Sequence, residues 1–367
     1  MAERKNIKVI ISGGGSGGHI FPAIAIAQSL QKIHPSIELL FVGADGRMEM
    51  QKIPEAGYKI EGLWISGLQR KLSIDNLSFP FKVISSLLKS RKIINKFKPD
   101  LAIGVGGYAS GPLLQAASWC GIPSLIQEQN SYPGITNKIL SKTVQKICIA
   151  YDGLEKFFPK EKLVRTGNRV RAAITESTFD RDEGIKEFDL NADRKTIFVT
   201  GGSLGARGIN EGVKACLEMI KKNDIQLIWQ TGKFYFEEIK EIIGEQEENI
   251  KIMPFVKRMD LAYAAADVII ARAGALTIAE LCIAGKPVIF MPSPNVTEDH
   301  QTHNALALVK KDAALMMKDT EAKQQLSTLV FSLLEDIILQ EKLKTNIKSL
   351  SVTNAADIIA KEALALI

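Results

Sequence analysis

Residues 8–30 read KVIISGGGSGGHIFPAIAIAQSL, and the order of their parts decides the fold. Lys8 to Ser12 is a short β-branched run, Gly13 to Gly18 is a turn, and an apolar helix is expected from Pro22 onward. A strand that runs through glycines into a helix predicts a βαβ unit. The alternation continues outward in ELLFVG (38–43), KIEGLWI (59–65), DLAIGVG (100–106), PSLIQE (123–128) and KICIA (146–150). A polar passage at 174–195 interrupts it. It resumes in TIFVTGG (196–202), IQLIWQT (225–231), IKIMPF (250–255), DVIIARAG (267–274) and KPVIFMP (286–292). The fold class is therefore α/β, with two units that each open on a strand, glycines and a helix. The last fifteen residues, TNAADIIAKEALALI, read as an amphipathic helix that packs back onto one of the units.

Composition supports two ordinary globular domains. The 367 residues exceed what one core serves at about 150 residues per domain. A content of 46% hydrophobic and 24% charged residues excludes a disordered or collagen-like chain. No apolar stretch approaches the ~20 residues of a spanning helix. The opening MAERKNIKVIISGGG lacks the pattern of a secretory signal, so the expectation is a protein that stays inside the cell. Cys120, Cys148, Cys216 and Cys282 are far apart among apolar residues, which fits reduced thiols and no structural metal. Charge is divided unevenly. Residues 1–171 hold 24 Lys and Arg against 12 Asp and Glu, leaving 23 against 29 for the remainder. The basic half is expected to face a polyanion, either nucleic acid or an anionic membrane.

Several strand ends carry residues suited to a ligand. In Ser12–His19, glycines let the backbone approach an anion such as a diphosphate, although tight-turn packing would use them too. The run lacks the Gly-Lys-Ser/Thr of a Walker loop and the acidic partner of a dinucleotide fingerprint. His19 is read as a general base or as a merely hydrogen-bonded histidine. Gly104–Pro112, with Gly106, Gly107 and Tyr108, forms a second glycine-lined wall. Glu128, Gln129 and Asn130 bring a carboxylate and amides to the same sheet edge, or serve a turn. In the second half, Thr200–Arg207 is a further anion cradle. Backbone groups of Ala275, Leu276, Thr277 and Ile278 can meet a phosphate, followed by Ala279 and Glu280. Glu280 either accepts from a ribose diol or stabilises the first turn of its helix. His300 and His303 are read as a solvated helix start rather than metal ligands, and Asp180-Arg181-Asp182 as surface.

The segment from Leu68 to Pro99 mixes Leu72, Ile74, Phe79 and Phe81 with Lys82, Lys89 and other bases, and Asp75 is its one acid. It is read as a membrane contact or as a core helix with a basic solvated face. The scarcity of acids favours anionic lipid.

Taken together, GGGSGGHIFPAIAIA, GVGGYASGP, EQNSYPGITNK, TGNRVR, GGSLGARGIN, ARAGALTIAE and HQTHNA resemble the motif series of the MurG family, in order and over nearly the whole chain. The resemblance implies the GT-B fold, two Rossmann-like domains facing across a cleft. Residues 1–168 with 352–367 would form the acceptor and membrane domain, and 169–351 the donor domain. It implies inverting transfer of N-acetylglucosamine from UDP-GlcNAc to the C4 hydroxyl of undecaprenyl-linked lipid I, giving lipid II for peptidoglycan. Ser203, Val256, Ala275 to Glu280 and Gln301 would hold the donor, with Glu280 on the ribose. Ser16, Gly17, Gly18, Asn130 and Arg171 would complete the site, and His19 would be the base. No cofactor is implied, with magnesium assisting but not protein-bound. The implied partners are an anionic membrane surface at the cytoplasmic face of the cell membrane and other cell-wall synthesis proteins, not nucleic acid. Two positions depart from the family: Arg169 replaces its proline, and Ala273 replaces its Ser or Thr. Any phosphate contact by a hydroxyl then falls to Thr277 or Ser203. The rival readings are a GT-B enzyme with a soluble acceptor, such as a UDP-GlcNAc 2-epimerase, a nicotinamide dehydrogenase, and a non-catalytic membrane scaffold.

Overall fold

The structure, a computed structural model, describes residues 6–67, 78–244 and 247–367. They form two compact units, one reaching to Arg169 and including Asn354–Ile367, the other Val170–Thr353. The first unit contains β1 (Lys8–Ser12), α1 (Gly17–Ile33), β2 (Glu38–Ala44), α2 (Glu49–Glu55), β3 (Ile60–Leu63) and α3 (Phe79–Phe97). It continues with β4 (Leu101–Gly104), α4 (Ser110–Trp119), β5 (Ser124–Glu128), α5 (Ile135–Leu140), β6 (Lys146–Ile149) and β7 (Leu163–Arg165). The second contains α6 (Ala172–Thr175), α7 (Arg181–Glu187), β8 (Thr196–Thr200), α8 (Arg207–Lys222), β9 (Gln226–Gln230), α9 (Phe236–Ile243), β10 (Ile250–Met253) and α10 (Met259–Ala265). After these come β11 (Val268–Ala271), α11 (Ala275–Ala284), β12 (Val288–Phe290), α12 (His300–Val309), β13 (Leu315–Met316), α13 (Ala322–Glu335) and α14 (Ile337–Ser349). The chain ends with α15 (Ala355–Leu364), in the first unit.

Both sheets are parallel. The first runs β3-β2-β1-β4-β5-β6-β7 and the second β10-β9-β8-β11-β12-β13. The chain therefore reverses its direction of travel across each sheet, between β1 and β4 and between β8 and β11. At such a switch point the loops leaving the two neighbouring strands diverge and open a crevice at their carboxyl ends. The three glycine-rich runs of the sequence occupy the ends of β1, β4 and β8, and the ARAGAL segment with Gly274 occupies the end of β11.

Alternation along the strands builds the cores. Val9 and Ile11 face a cluster with Ile20, Ile26 and Leu30 of α1, whereas Ile10 faces one with Leu113 and Leu114 of α4. Ile359, Ala360 and Ala363 of α15 are fully buried in the α1 cluster, and Lys146 on β6 pairs with Glu362. Burying one isoleucine contributes about 1.5–3 kcal/mol, so α15 is an integral layer of this unit. In the second unit Trp229 is fully buried, and its indole N–H donates to Asn210 Oδ1 at 3.1 Å.

α1 starts at Gly17, five residues before the expected Pro22, because the Ser16 carbonyl accepts from both His19 and Ile20. Pro22 lies inside the helix, where its missing N–H forgoes one main-chain bond. Three of the four free cysteines are buried and Cys120 is exposed; burial pushes the Cys148 thiol up to about 12.

Lys286 gives the second unit a pH signature. Burial lowers its ammonium from 10.5 to about 8, while Nζ donates to the Ala264 carbonyl at 2.9 Å. A lysine depressed by folding costs stability while charged, and the cost is relieved as pH rises from about 8 towards 10.5. In urea unfolding, Lys286→Met should exceed wild type near pH 7, and the difference should shrink by up to about 3 kcal/mol by pH 10. A difference that does not change with pH would refute this.

Candidate functional site

In the second unit the switch-point loops line a cavity of about 620 Å³, within the range of nucleotide-sized sites. Thr200 to Arg207 form one wall, and Gly274, Thr277 and Glu280 form the other. Both walls are helix starts. α8 is capped by Ala206 and α11 by Gly274, neither with a side-chain cap, and neither helix has an acid in its first turn. The positive ends of both dipoles face the cavity, where Arg207 adds a cation and the Asp319 carboxylate stands beside Gly208 at the start of α8. A hydrogen-bonded relay fixes the floor: Val256 N–H donates to Gln230 Oε1 at 2.8 Å, and Gln230 Nε2 to Thr200 Oγ1 at 3.0 Å.

Glu280 is the one acid on the α11 wall. It is the sixth residue of α11, so it lies in the second turn and does not serve the dipole role considered for a first-turn glutamate. Arg171 grips it in a fork, Nε to Oε1 at 2.6 Å and an Nη to Oε2 at 2.7 Å, and Tyr263 O–H donates to Oε2 at 3.2 Å. Burial, reinforced by this carboxylate, pushes the Tyr263 phenol far up, so it remains a donor. A carboxylate offers about four acceptor sites, of which three are taken, leaving one on Oε1. A vicinal diol cannot engage Glu280 through both hydroxyls while Arg171 stays in place.

Of the second-half candidates, Arg171, Ser203, Thr277, Glu280 and Gln301 line this cavity. Gln301 is positioned by accepting the Ser293 N–H at 2.8 Å. Val256, Ala275, Leu276, Ile278 and Ala279 do not line it: Val256 and Ile278 are buried, and Phe255 faces the space instead of Val256. Ala273 is fully buried and also absent from the lining, so a hydroxyl there would serve packing rather than a ligand. Sequence reasoning missed Tyr235, Phe255, Met259, Tyr263 and Asp319. Asp319 pairs with Arg272, which also donates to the carbonyls of Met291 and Pro292 and so pins three loops together.

In the first unit the loops after β1 and β4 lie against each other, with Gly14 N–H bonded to the Gly106 carbonyl at 3.3 Å. His19 stands in the first turn of α1, and its Nδ1 lies 3.0 Å from the Gly14 carbonyl oxygen. A carbonyl only accepts, so Nδ1 carries the proton and Nε2 carries the lone pair a base requires. Ser16 Oγ is 3.5 Å from the same nitrogen. Gly106 is required beside the ring: its φ is +103°, and a Cβ there would stand 2.6 Å from the imidazole. Gly107, at φ +93°, would likewise drive a Cβ into the Gly14 backbone. Tyr108 is exposed and covers Gly67. Gly17 and Gly18 begin α1.

Glu128 knits the loop after β5, accepting from Asn130 N at 3.0 Å, Gly134 N at 3.2 Å and Asn137 Nδ2 at 2.8 Å. Burial raises its carboxyl, against the lowering pull of these donors. Asn130 is thus tied to Glu128 at the same sheet end. On α3, Phe81, Ile84 and Leu88 are 69%, 58% and 66% exposed and share a stripe with Lys92, flanked by exposed Lys89, Arg91 and Lys96. Phe79 is half-buried. Lys82 turns inward, bonding Ser66 Oγ at 3.0 Å and lying over Trp64, so it is a packing residue more than a surface charge. Leu72 and Ile74 lie outside the described residues. Among those described, no helix is long and apolar enough to cross a membrane.

Comparison with known proteins adds the chemistry of relatives. Residues 9–149 match the N-terminal domain of glycosyltransferase family 28 and residues 196–361 its C-terminal domain. A protein of Flavobacterium psychrophilum is 52% identical over 360 residues, 98% of each chain, and one of Cytophaga hutchinsonii 53% identical over 367 residues, 100% of this chain and 99% of the other. Both are named UDP-N-acetylglucosamine--N-acetylmuramyl-(pentapeptide) pyrophosphoryl-undecaprenol N-acetylglucosamine transferase. The crystal structure of Acinetobacter baumannii MurG superposes with a TM-score of 0.81 at 28% identity, covering 98% of this chain and 99% of that one.

Proposed function

Because the chain belongs to glycosyltransferase family 28, among the transferases that carry N-acetylglucosamine to a lipid-linked muramyl acceptor, we infer that it transfers N-acetylglucosamine from UDP-GlcNAc to lipid I and yields lipid II. The observation that supports the reading at the level of residues is the cavity at the second unit's switch point, where the starts of α8 and α11 converge beside a buried Glu280. The diphosphate binds the N–H groups at the starts of α8 and α11, near Ser203, Thr277 and Arg207. The ribose offers one hydroxyl to Glu280 Oε1 while Arg171 holds the carboxylate. Gln301 completes the donor contacts.

The acceptor side belongs to the first unit. His19 Nε2 takes the proton of the lipid I C4 hydroxyl as its oxygen attacks the anomeric carbon. The bond from that carbon to the diphosphate oxygen breaks, and UDP leaves with the electron pair. Inversion follows from the single displacement. Preorganised N–H groups are strongest where charge grows on the leaving diphosphate, which is where stabilisation accelerates the step. Asn130, the start of α1 and the Gly106-Gly107-Tyr108 wall line the route of the acceptor.

Incubating labelled UDP-GlcNAc with lipid I tests the reading: a lipid-linked disaccharide is expected, and free N-acetylglucosamine alone would overturn it. We further propose that the enzyme sits peripherally on anionic lipid at the cytoplasmic face of the cell membrane, a reading supported by the exposed apolar and basic stripe of α3. Its apolar residues enter the headgroup boundary, while its bases meet lipid phosphates at about 1 kcal/mol each. Substituting Phe81 and Leu88 together with serine should weaken binding to phosphatidylglycerol-containing vesicles by about tenfold or more. Unchanged partitioning would remove α3 from the membrane contact.

A further inference from the structure

Glu49 has no part in the chemistry above, yet it is a carboxylate 1% exposed to solvent, directly beneath the glycine loop. It opens α2, and its two oxygens are committed to two different N–H groups: Oε1 accepts from Ala44 at 3.1 Å and Oε2 from Gly15 at 2.9 Å. Glycines are required for it to lie there. A Cβ on Gly14 would stand 2.1 Å from Oε1, and one on Gly43 2.6 Å from Cγ.

The Gly15 N–H and the Gly14 C=O belong to the same peptide group. In a trans peptide they point in opposite directions. One side of this plane therefore faces the buried carboxylate, and the other accepts the Nδ1 proton of His19 at 3.0 Å. We propose that Glu49 is a positioning residue for His19, acting through the Gly14–Gly15 peptide as the carboxylate of a glutamate–peptide–histidine relay. An anion bonded to the N–H polarises the amide and makes its carbonyl a stronger acceptor, as in any chain of hydrogen bonds. The stronger acceptor holds imidazole in the Nδ1–H tautomer, puts the lone pair on Nε2, and stabilises the imidazolium formed when Nε2 takes a proton. A carboxylate bonded directly to a catalytic histidine does the same work. Here the peptide carries the effect across, and the loop is locked at the same time.

The proposal rests on His19 as the base, and its test separates the two ideas. The chain has four histidines, so imidazole ¹⁵N spectra of histidine-labelled full-length protein can be assigned with His19→Ala. Wild type should show His19 as the Nδ1–H tautomer. In Glu49→Gln the side chain keeps its shape but can accept only one of the two N–H groups. The Nε2–H form should then appear, and kcat should fall about 10- to 100-fold, as when an outer-shell partner is lost. KM for UDP-GlcNAc should stay within about twofold, because the donor site lies in the other unit. Glu49→Asp, which keeps the charge on a shorter arm, should recover much of the tautomer and of kcat, and it stands in if the glutamine variant does not fold. Wild-type tautomer and kcat in a folded Glu49→Gln protein would overturn the proposal, as would an Nε2–H signal for His19 in wild type. Full turnover by His19→Ala would instead retire the base, leaving the tautomer result to be read by itself.

Discussion

Replacing His19 by alanine should lower transfer to lipid I by about 10²- to 10⁴-fold, the span general bases usually contribute, while UDP-GlcNAc should bind as before. The split follows from where the residues stand. His19 is on α1 of the first unit, whereas the donor cavity is built entirely from the second. Alanine keeps the α1 start intact, since the Ser16 carbonyl accepts main-chain N–H groups and not the imidazole. Titration calorimetry with UDP-GlcNAc and a radiolabelled transfer assay on the same preparation read the two quantities. Equal loss of binding and turnover would mean the histidine shapes the fold; unchanged turnover would mean another group takes the proton.

Glu280→Gln should weaken UDP-GlcNAc binding by about 10- to 100-fold, the worth of one hydrogen bond to a charged group. The cause is local. Glutamine cannot receive both prongs of the Arg171 fork, and its amide N–H would oppose either the guanidinium or the Tyr263 hydroxyl. Arg171 is then released, and the remaining acceptor position on Oε1 loses its charge. Calorimetry with UDP alone shares the loss, because the proposed contact is to ribose and not to the sugar being transferred. A dissociation constant equal to that of wild type would remove Glu280 from the donor contacts.

What could be read from the sequence was what local chemistry decides. Glycines at Gly13–Gly18, Gly104–Gly107, Gly201–Gly205 and Gly274 mark strand ends because a close approach to the backbone demands them wherever they fall in a sheet. The parallel α/β class followed from the spacing of β-branched runs. Glu280 and Arg171 were identified singly, through the family resemblance, but their pairing was not, since 109 positions separate them and only the packing of α11 beside α6 brings them together. Tyr263 stands in DLAYAAADV, where no neighbouring residue marks it as a partner of Glu280. Glu49 went unmarked in GRMEMQ, because nothing local signals a buried carboxylate that receives an N–H from another loop. The helix begins at Gly17 and not at Pro22, because the backbone accommodates a proline just past the first turn, a tolerance that the proline itself does not announce. A spacing cue was available for Phe255, an apolar residue leaving strand IKIM, but it does not distinguish cavity from core.

On the proposed function, the starts of α8 and α11 in the second unit hold the donor's diphosphate beside Glu280. Crystals of the full chain with UDP-GlcNAc test it most directly. The expected density places the diphosphate within hydrogen-bond reach of main-chain N–H groups at the starts of α8 and α11, with the ribose against Glu280. Nucleotide bound elsewhere, with residues 201–205 and 274–277 making no contact to phosphate, would contradict it.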